Sequence, residues 1–495
     1  MFVQPKIETY RFIGEVSSLH GQSMVECRLP GSEISSILAV EAKTVPAESV
    51  CADGEVKYGG KVVLIVVYED GDKKVCRAER GVEFFHKAEG KEVTPACFAK
   101  TALCAENVTW RREGSGLYFS IIVGAEILVY GGKQMEYLTG GEGLIAKTAP
   151  ITVRKSLCVT GETDGEDEFD SDYVGDVLLH SERAMIYRAE AKGGQIELEG
   201  EIALNICVLT ADERVCSYER LTPFRMQVPC DEAFGEAMAS ARVQVKSAYL
   251  TVGADEEKGK SKIVFSYTLS ADCFVYVQEE IEVVQDGYSI AAPLTLHKRK
   301  DGGRYLTNVQ KQVERVSGIA AISPAVEGDI VLQAAVLPRV EIACKKTENG
   351  FEAEGAALAE IIFAGSDGSK RSVSLSLPFA FSLDAQGDIV EADGMICAIN
   401  VRRKRTGEME AEGILKLCVR SYQNGEWEYV SELEEGDAYE VEDCAFSIYL
   451  PGAGADLWSV AKKLRCTPEE LEKSNPDLKF PLSETDKIYV YRQIR

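Results

Sequence analysis

Three stretches of this chain repeat one pattern of glycine, alternating apolar residues and phenylalanine. In each stretch the apolar residues occupy every second position after the glycine, and the phenylalanine follows the glycine by 24 residues. Chance does not easily keep this offset in segments whose glycines lie 140 and 155 residues apart, so the sequence predicts three tandem copies of one unit. The glycines are Gly60, Gly200 and Gly355, and the phenylalanines are Phe84, Phe224 and Phe379.

Strand patterns dominate each copy. Polar and apolar residues alternate over residues 195–206, which buries one face of a strand and leaves the other in water, as in an antiparallel sheet. Each copy offers roughly six to eight short strands, and so many strands close two sheets over one core. The predicted fold class is therefore mainly β, with three antiparallel β-sandwich-like repeats over residues 1–150, 151–310 and 311–445.

Residues 446–495 show a different pattern, which predicts a small β-α-α-β domain. Residues 446–450 have the character of a strand, and Asp456 and Thr467 are suited to cap the N-termini of two helices. The second helix should end before Asn475 and Pro476, because proline disfavours helical backbone in the residue before it. A closing strand is expected over residues 487–491.

The C-terminal pattern resembles the LysM module. The resemblance rests on the first strand, Gly454, the run Asp456-Leu457-Trp458, the pair Asn475-Pro476 and the closing strand. Three β-rich repeats followed by one such domain are similar to the SipL-type spore-envelope proteins of endospore-forming bacteria, whose repeats are called SPOCS domains. The resemblance implies a non-enzymatic coat morphogenetic protein of the mother-cell cytosol. Its LysM domain would recruit it to the forespore surface by contacting the coat ATPase SpoIVA, and it would also bind other coat proteins.

The same resemblance suggests where a partner or a glycan would bind. No cofactor and no metal are predicted, because the residues show no catalytic or metal-ligating pattern. The turn Gly454-Ala455-Asp456-Leu457 replaces the usual Gly-Asp-Thr-Leu, and the loop before the last strand carries Glu484 and Asp486 without glycine. These departures favour a protein partner. The alternative is a peptidoglycan-binding or glycan-binding protein of the cell wall or spore cortex, and self-association is left open. The candidate binding residues are Gly454, Asp456, Leu457, Trp458, Asn475 and Pro476.

Trp458 is the residue expected to act in binding more than in folding. Leu457, Val460, Ala461 and Leu464 already supply an apolar stripe at helical spacing. The indole should therefore lie at the edge of that stripe with one face exposed, a setting in which aromatic side chains often anchor interfaces. The alternative is a partly buried tryptophan of the core.

Charge narrows the class of partner. The net charge of −25 argues against nucleic acids and anionic membrane surfaces, since both are bound by lysine and arginine. Residues 162–172 hold seven acids in eleven positions. A calcium loop starting at Asp164 would need glycine and glutamate where Phe169 and Gly175 stand. The prediction is a solvated acidic linker at the start of the second repeat.

Location and redox state follow from what the sequence lacks. Its longest apolar run, residues 62–68, is far shorter than the roughly 20 residues that span a bilayer, and the N-terminus lacks a secretion signal. A cytoplasmic protein is therefore expected.

The 15 cysteines contain no Cys-x-x-Cys pair and are predicted to be reduced, small apolar residues. Late oxidative cross-linking in an assembled layer is the alternative.

Catalytic motifs are not evident, so the chain is predicted not to be an enzyme. A relaxed P-loop pattern occurs at residues 254–261, but both flanks have strand character, and a solvated hairpin turn is predicted there. The four histidines occupy unrelated positions of the repeats, which gives no common catalytic or metal triad. They are His20, His86, His180 and His297.

Overall fold

Antiparallel sheets dominate the structure. The computed structural model describes residues 3–30, 34–114, 116–172, 175–255, 260–321, 330–405, 408–440 and 446–491. In these ranges the chain forms 21 strands and two short helices. The prediction of a mainly β fold is confirmed.

The first unit consists of two sheets that share one core. Strand β7 lies between β1 and β6 in one sheet, and β4 pairs with β2, β3 and β5 in the other. Leu64 of β4 and Phe119 of β7 are fully buried in the same apolar cluster. The strands are β1 (Gln4–Pro30), β2 (Ile34–Pro46), β3 (Val50–Ala52), β4 (Glu55–Asp70), β5 (Val75–Glu89), β6 (Phe98–Glu113) and β7 (Gly116–Glu142).

The second unit pairs two three-stranded sheets in the same way. Strand β10 is the centre of one sheet and β13 the centre of the other, and Leu204 and Phe265 from these two strands are buried together. The strands are β8 (Ile145–Ser171), β9 (Gly175–Lys192), β10 (Gln195–Thr210), β11 (Val215–Pro229), β12 (Met238–Asp255) and β13 (Lys260–Tyr288).

The third unit has the corresponding central strands, β16 and β19. Ile361 of β16 and Leu415 of β19 lie in one core cluster. The strands are β14 (Leu294–Ala321), β15 (Val331–Thr347), β16 (Gly350–Ala364), β17 (Lys370–Leu383), β18 (Ile389–Arg405) and β19 (Glu408–Glu435).

The repeated glycine and phenylalanine are direct partners across two neighbouring strands. A side chain on Gly200 would place its Cβ against the ring of Phe224 and 2.5 Å from the carbonyl oxygen of Met185. Glycine is therefore required at Gly200, where the phenyl ring covers the central strand. A Cβ on Gly60 or Gly355 would likewise collide with a carbonyl oxygen of the neighbouring strand. The three pairs are Gly60 with Phe84, Gly200 with Phe224 and Gly355 with Phe379.

The acidic stretch at residues 162–172 is part of a strand, so the prediction of a linker is wrong. Strand β8 is hydrogen-bonded to β13 from Ile145 to Ser171. Glu166, Glu168 and Asp170 are exposed, whereas Phe169 and Ser171 between and beside them are buried. Except for Asp167, which is half-buried and binds Arg220 at 2.8 Å, the acids thus occupy alternate, exposed positions of an edge strand, where charge discourages pairing with another chain.

The sheets divide the chain at other positions than the sequence suggested. The predicted division at 150/151 lies inside β8, and the one at 310/311 lies inside β14. Each of these long strands pairs with a single partner strand of its own unit, β13 and β19 respectively. The first unit therefore ends with β7, and the second ends with β13.

The three units also share apolar clusters with one another. Leu38 of the first unit, Leu178 of the second and Val336 of the third lie in one buried cluster. A second buried cluster also takes one residue from each unit, namely Phe12, Val153 and Trp427. The three units therefore pack against each other through buried apolar side chains.

Equivalent tyrosines of the three units meet where the units pack against each other. Tyr130, Tyr276 and Tyr422 follow one another at intervals of 146 residues, and all three are buried in one cluster. The rings of Tyr276 and Tyr422 are 5.8 Å apart in an edge-to-face arrangement, which is favourable for aromatic pairs. The repeated tyrosine thus belongs to the contact between units.

The C-terminal unit has the predicted β-α-α-β order. Its elements are β20 (Phe446–Tyr449), α1 (Leu457–Leu464), α2 (Pro468–Ser474) and β21 (Ile488–Tyr491). Strands β20 and β21 pair with each other in antiparallel register. Asp456 caps α1 by accepting a hydrogen bond from Ser459, and Thr467 with Glu470 forms a capping box on α2. None of the helices described here is long and apolar enough to span a membrane.

Candidate functional site

The turn that precedes α1 is open to solvent. Gly454 has a φ angle of +80°, a left-handed conformation that glycine adopts without strain, and no atom crowds its α-carbon on the side where a side chain would lie. Asp456 is exposed, and its Oδ1 accepts a 2.7 Å hydrogen bond from the backbone N–H of Ser459. That backbone hydrogen bond lowers the pKa of Asp456, so the turn presents a fixed negative charge.

Trp458 is half-buried, but the surface that it contacts belongs to the same chain. Its indole Nε1–H donates a 2.8 Å hydrogen bond to Oδ2 of Asp286, at the end of β13. Its ring meets that of Tyr288 edge to face, with centroids 5.2 Å apart. Leu457 is also half-buried and packs against the core of the C-terminal unit. The predicted anchor residue therefore attaches the C-terminal unit to the second unit.

Two further contacts complete this attachment. Lys462 on α1 binds the other carboxylate oxygen of Asp286 at 2.6 Å, and the hydroxyl of Tyr288 donates a 2.6 Å hydrogen bond to the carbonyl of Cys466. Burial acts to raise the pKa of Asp286, but the hydrogen bonds from Lys462 and Trp458 outweigh it and lower the pKa. Asp286 therefore stays charged at neutral pH and binds both donors.

Asn475 and Pro476 have different roles in the structure. Asn475 is buried, and its side-chain amide donates to the carbonyls of Leu471 and Tyr489 and accepts from the N–H of Tyr489. These bonds join the end of α2 to β21, which is a folding role. Pro476 is exposed. Of the six predicted residues, Gly454, Asp456 and Pro476 are the ones available to a partner.

Sequence reasoning missed Asp286 and Tyr288. Neither belongs to a motif, and the positions 146 residues before and after Asp286 hold Gly140 and Glu432. No repeat signal could mark a residue that is particular to the second unit.

An ionic cluster lies where the three units meet. Glu391 of β18 is surrounded by three guanidinium groups, with its oxygens 2.9 Å from Arg304, 3.5 Å from Arg242 and 3.8 Å from Arg420. The side chain of Arg420 is only 2% exposed and donates a 2.6 Å hydrogen bond to Asp393. Burial opposes the charge of Asp393, but Arg420 outweighs it and lowers the pKa of this carboxyl.

The ionic cluster joins residues of different units. Arg242 belongs to the second unit and also binds Glu126 of the first at 2.8 Å. Arg304 of the third unit lies 3.5 Å from Glu15 of the first. A cavity of about 360 Å³ lies between these side chains. The acids and arginines largely balance each other, so the arrangement is suited to holding the units together.

A second buried titratable group lies between the first and second units. Glu41 of β2 is 5% exposed, and neither carboxylate oxygen has a hydrogen-bond partner. Burial raises its pKa to about 7, although Lys43 and Arg183 act to lower it. Lys43 binds Glu182 of the second unit at 2.8 Å. Burial between the first and second units therefore favours the neutral, protonated form of Glu41.

Other side chains with chemical potential are scattered. Every cysteine among the described residues is a free thiol, and no group of three or more His, Cys, Asp or Glu in these parts of the chain is placed to bind a metal ion. The four histidines lie on four different strands, β1, β5, β9 and β14. Residues 256–259 of the P-loop-like pattern lie outside the described residues, and β12 and β13 on either side of them pair as a hairpin, as predicted.

No known protein family, curated protein or solved structure matches this chain.

Proposed function

We propose that this chain is a non-enzymatic spore-coat morphogenetic protein with three SPOCS-like β-sandwich repeats and a terminal LysM domain, acting in the mother-cell cytosol at the forespore surface. The observation that carries the proposal is the combination of three units that share one Gly–Phe cross-strand pair with a terminal β-α-α-β unit. In this proposal the LysM domain binds the coat ATPase SpoIVA, and the repeats provide surface for other coat proteins.

The open turn of the C-terminal unit is the proposed contact for the ATPase. Gly454, Asp456 and Pro476 are exposed, whereas Trp458 faces the second unit through Asp286. Glu484, in the loop before β21, is also exposed. The unit as a whole has a net charge of +1, but the carboxylates of Asp456 and Glu484 favour a local partner surface that carries lysine or arginine, because complementary charge steers association and selects partners.

The carboxylates of Asp456 and Glu484 also count against the glycan-binding alternative. The hydroxyl groups of chitin oligomers can donate hydrogen bonds to a carboxylate, but the neutral sugar rings offer no opposite charge to offset the desolvation of these carboxylates. The glycan-binding alternative would therefore have to tolerate Asp456 and Glu484 in the turn and the loop. Protein recognition makes direct use of them.

The test is binding of the purified full chain to purified SpoIVA, measured by biolayer interferometry for the wild type and two variants. Asp456→Asn keeps a residue that caps helices well and removes the charge, and Glu484→Lys reverses an exposed charge. Both are expected to weaken binding at least about tenfold, which is roughly 1.4 kcal/mol. Glu472→Lys, an exposed acid on α2, is the matched control and should bind as the wild type does.

Calorimetric titration with chitin and peptidoglycan oligomers decides the alternative. A heat signal with a micromolar dissociation constant, lost in Asp456→Asn, would favour glycan binding. Binding of SpoIVA that is equal in all three variants would contradict the proposed contact.

A further inference from the structure

The outer face of the C-terminal sheet is apolar and exposed. Strands β20 and β21 alternate between side chains packed on the helices, such as Ile488 and Val490, and side chains directed outward. The outward set is called here the aromatic face. Its members and their exposed fractions are Phe446 (44%), Ile448 (52%), Leu450 (63%), Tyr489 (41%) and Tyr491 (66%).

These side chains form one continuous surface. Phe446 lies opposite Tyr491 and Ile448 opposite Tyr489 in the antiparallel register. The ring of Phe446 stacks on that of Tyr489 at 6.0 Å and meets that of Tyr491 at 5.3 Å. The rings therefore support each other in fixed positions, so little side-chain freedom is left to lose when a partner covers them.

The aromatic face carries no charge in a chain that is strongly charged. Residues 446–495 contain eight Lys and Arg and seven Asp and Glu, so this unit has a net charge of +1 and residues 1–445 have −26. Contact between the repeats of two copies is opposed by repulsion of like charge. At the aromatic face this repulsion is smallest, while the gain from burying apolar surface is largest.

The size of the face fits a modest interface. Five side chains exposed to this degree present on the order of 500 Å², and two copies together would bury about 1,000 Å², the lower limit of a specific protein interface. A stable complex with a large, different protein would use more area than that.

We propose that the aromatic face is a contact between two copies of this chain, which associate through their C-terminal sheets. Two such faces pack as sheets do, with outward side chains of one copy between those of the other. The contact uses the side of the unit opposite to the helices, so it leaves the attachment of Trp458 to Asp286 intact. It is also separate from the open turn proposed for SpoIVA.

Sedimentation velocity of the purified full chain tests the proposal from roughly 1 to 200 µM, the range in which an interface of this size is partly populated. The wild type should shift from monomer to dimer as concentration rises. The dimer should persist at roughly 1 M NaCl, where the Debye length is about 3 Å, because the contact is apolar.

The double variant Ile448→Ser, Tyr491→Ser should raise the dissociation constant of the dimer at least about tenfold. Tyr249→Ser is the matched control, because Tyr249 is exposed to 69% on β12, and it should dimerise as the wild type does. Circular dichroism checks that each variant is folded. Tyr491→Ser alone, which alters the most exposed side chain of the face, is the second test if the double variant unfolds.

A wild-type chain that stays monomeric over this range would overturn the proposal, as would a dimer unaffected by the substitutions. If the chain is monomeric and Tyr491→Ser instead abolishes binding of glycan oligomers or SpoIVA, the face serves that ligand and the proposal is wrong.

Discussion

The indole N–H of Trp458 donates a 2.8 Å hydrogen bond to the carboxylate of Asp286, 172 residues earlier in the chain. The bond joins the first helix of the C-terminal unit to the last strand of the second unit. It gives the terminal unit a defined position on the repeats, and the aromatic face lies on the side of the C-terminal sheet opposite to the helices.

Asp286→Ala should loosen the C-terminal unit without unfolding it. The substitution removes the acceptor of both Trp458 and Lys462, and a partly exposed contact of this kind contributes on the order of 1 to 2 kcal/mol. Hydrogen exchange of α1 should become faster by about tenfold or more. Glu432→Ala, the equivalent position of the third unit, is the control and should change nothing in α1.

The same attachment should weaken in acid. The pKa of Asp286 is lowered in the folded protein, so its contribution is complete above the unfolded carboxyl pKa of about 3.9 and is lost as the pH falls through the folded value. Hydrogen exchange of α1, corrected for intrinsic rates, should rise below about pH 4 in the wild type. Equal pH dependence in Asp286→Ala would contradict this assignment.

Glu41→Met should stabilise the protein at alkaline pH. The pKa of Glu41 is raised to about 7 by burial, so its favourable contribution is present below the unfolded pKa of about 4.3 and is lost as the pH rises through 7. The wild type should lose on the order of 1 to 3 kcal/mol from this group between pH 5 and 8. Thermal unfolding at both pH values should show a smaller loss for Glu41→Met. If the stability of Glu41→Met depends on pH as that of the wild type does, a group other than Glu41 causes the loss.

Glu391→Ala should destabilise the contact between units. It removes the shared partner of Arg420, Arg304 and Arg242, and each of them keeps a second carboxylate. Because this ionic cluster is only partly buried, the expected cost is about 1 to 3 kcal/mol, below that of breaking a fully buried pair. Denaturant unfolding followed by hydrogen exchange in β18 and β19 measures the loss. Arg225→Ala, which breaks an ion pair whose arginine is 84% exposed, should cost less than about 1 kcal/mol.

Gly200→Ala should destabilise the second unit by about 2 to 3 kcal/mol, because the new Cβ collides with the ring of Phe224 and the carbonyl of Met185. Gly253 lies in β12, where a Cβ would meet only one atom at 3.9 Å. Gly253→Ala should therefore change the stability by less than about 0.5 kcal/mol. Equal effects of the two substitutions would contradict the importance of the Gly–Phe pair.

Local features of this protein could be predicted from the sequence. The offset between Gly200 and Phe224 marked two strands in fixed register because residues that pair across a hairpin keep a constant separation in the chain. The helix caps at Asp456 and Thr467 were predictable for the same reason, since a cap acts on backbone groups two or three residues away. The acidic residues of β8 misled the prediction, because their charge hid an alternation in which Phe169 and Ser171 face inward.

Only the tertiary structure decided how the units meet. Asp286 binds Trp458, and Glu391 gathers three arginines, through contacts between residues far apart in the chain. Such contacts leave no periodic pattern, because the partner of each side chain depends on how whole sheets pack. The sequence by itself determined the mainly β class, the repeated offset between glycine and phenylalanine, and the helix caps. The packing of the sheets determined which of the predicted binding residues face solvent, because burial depends on every neighbour in space.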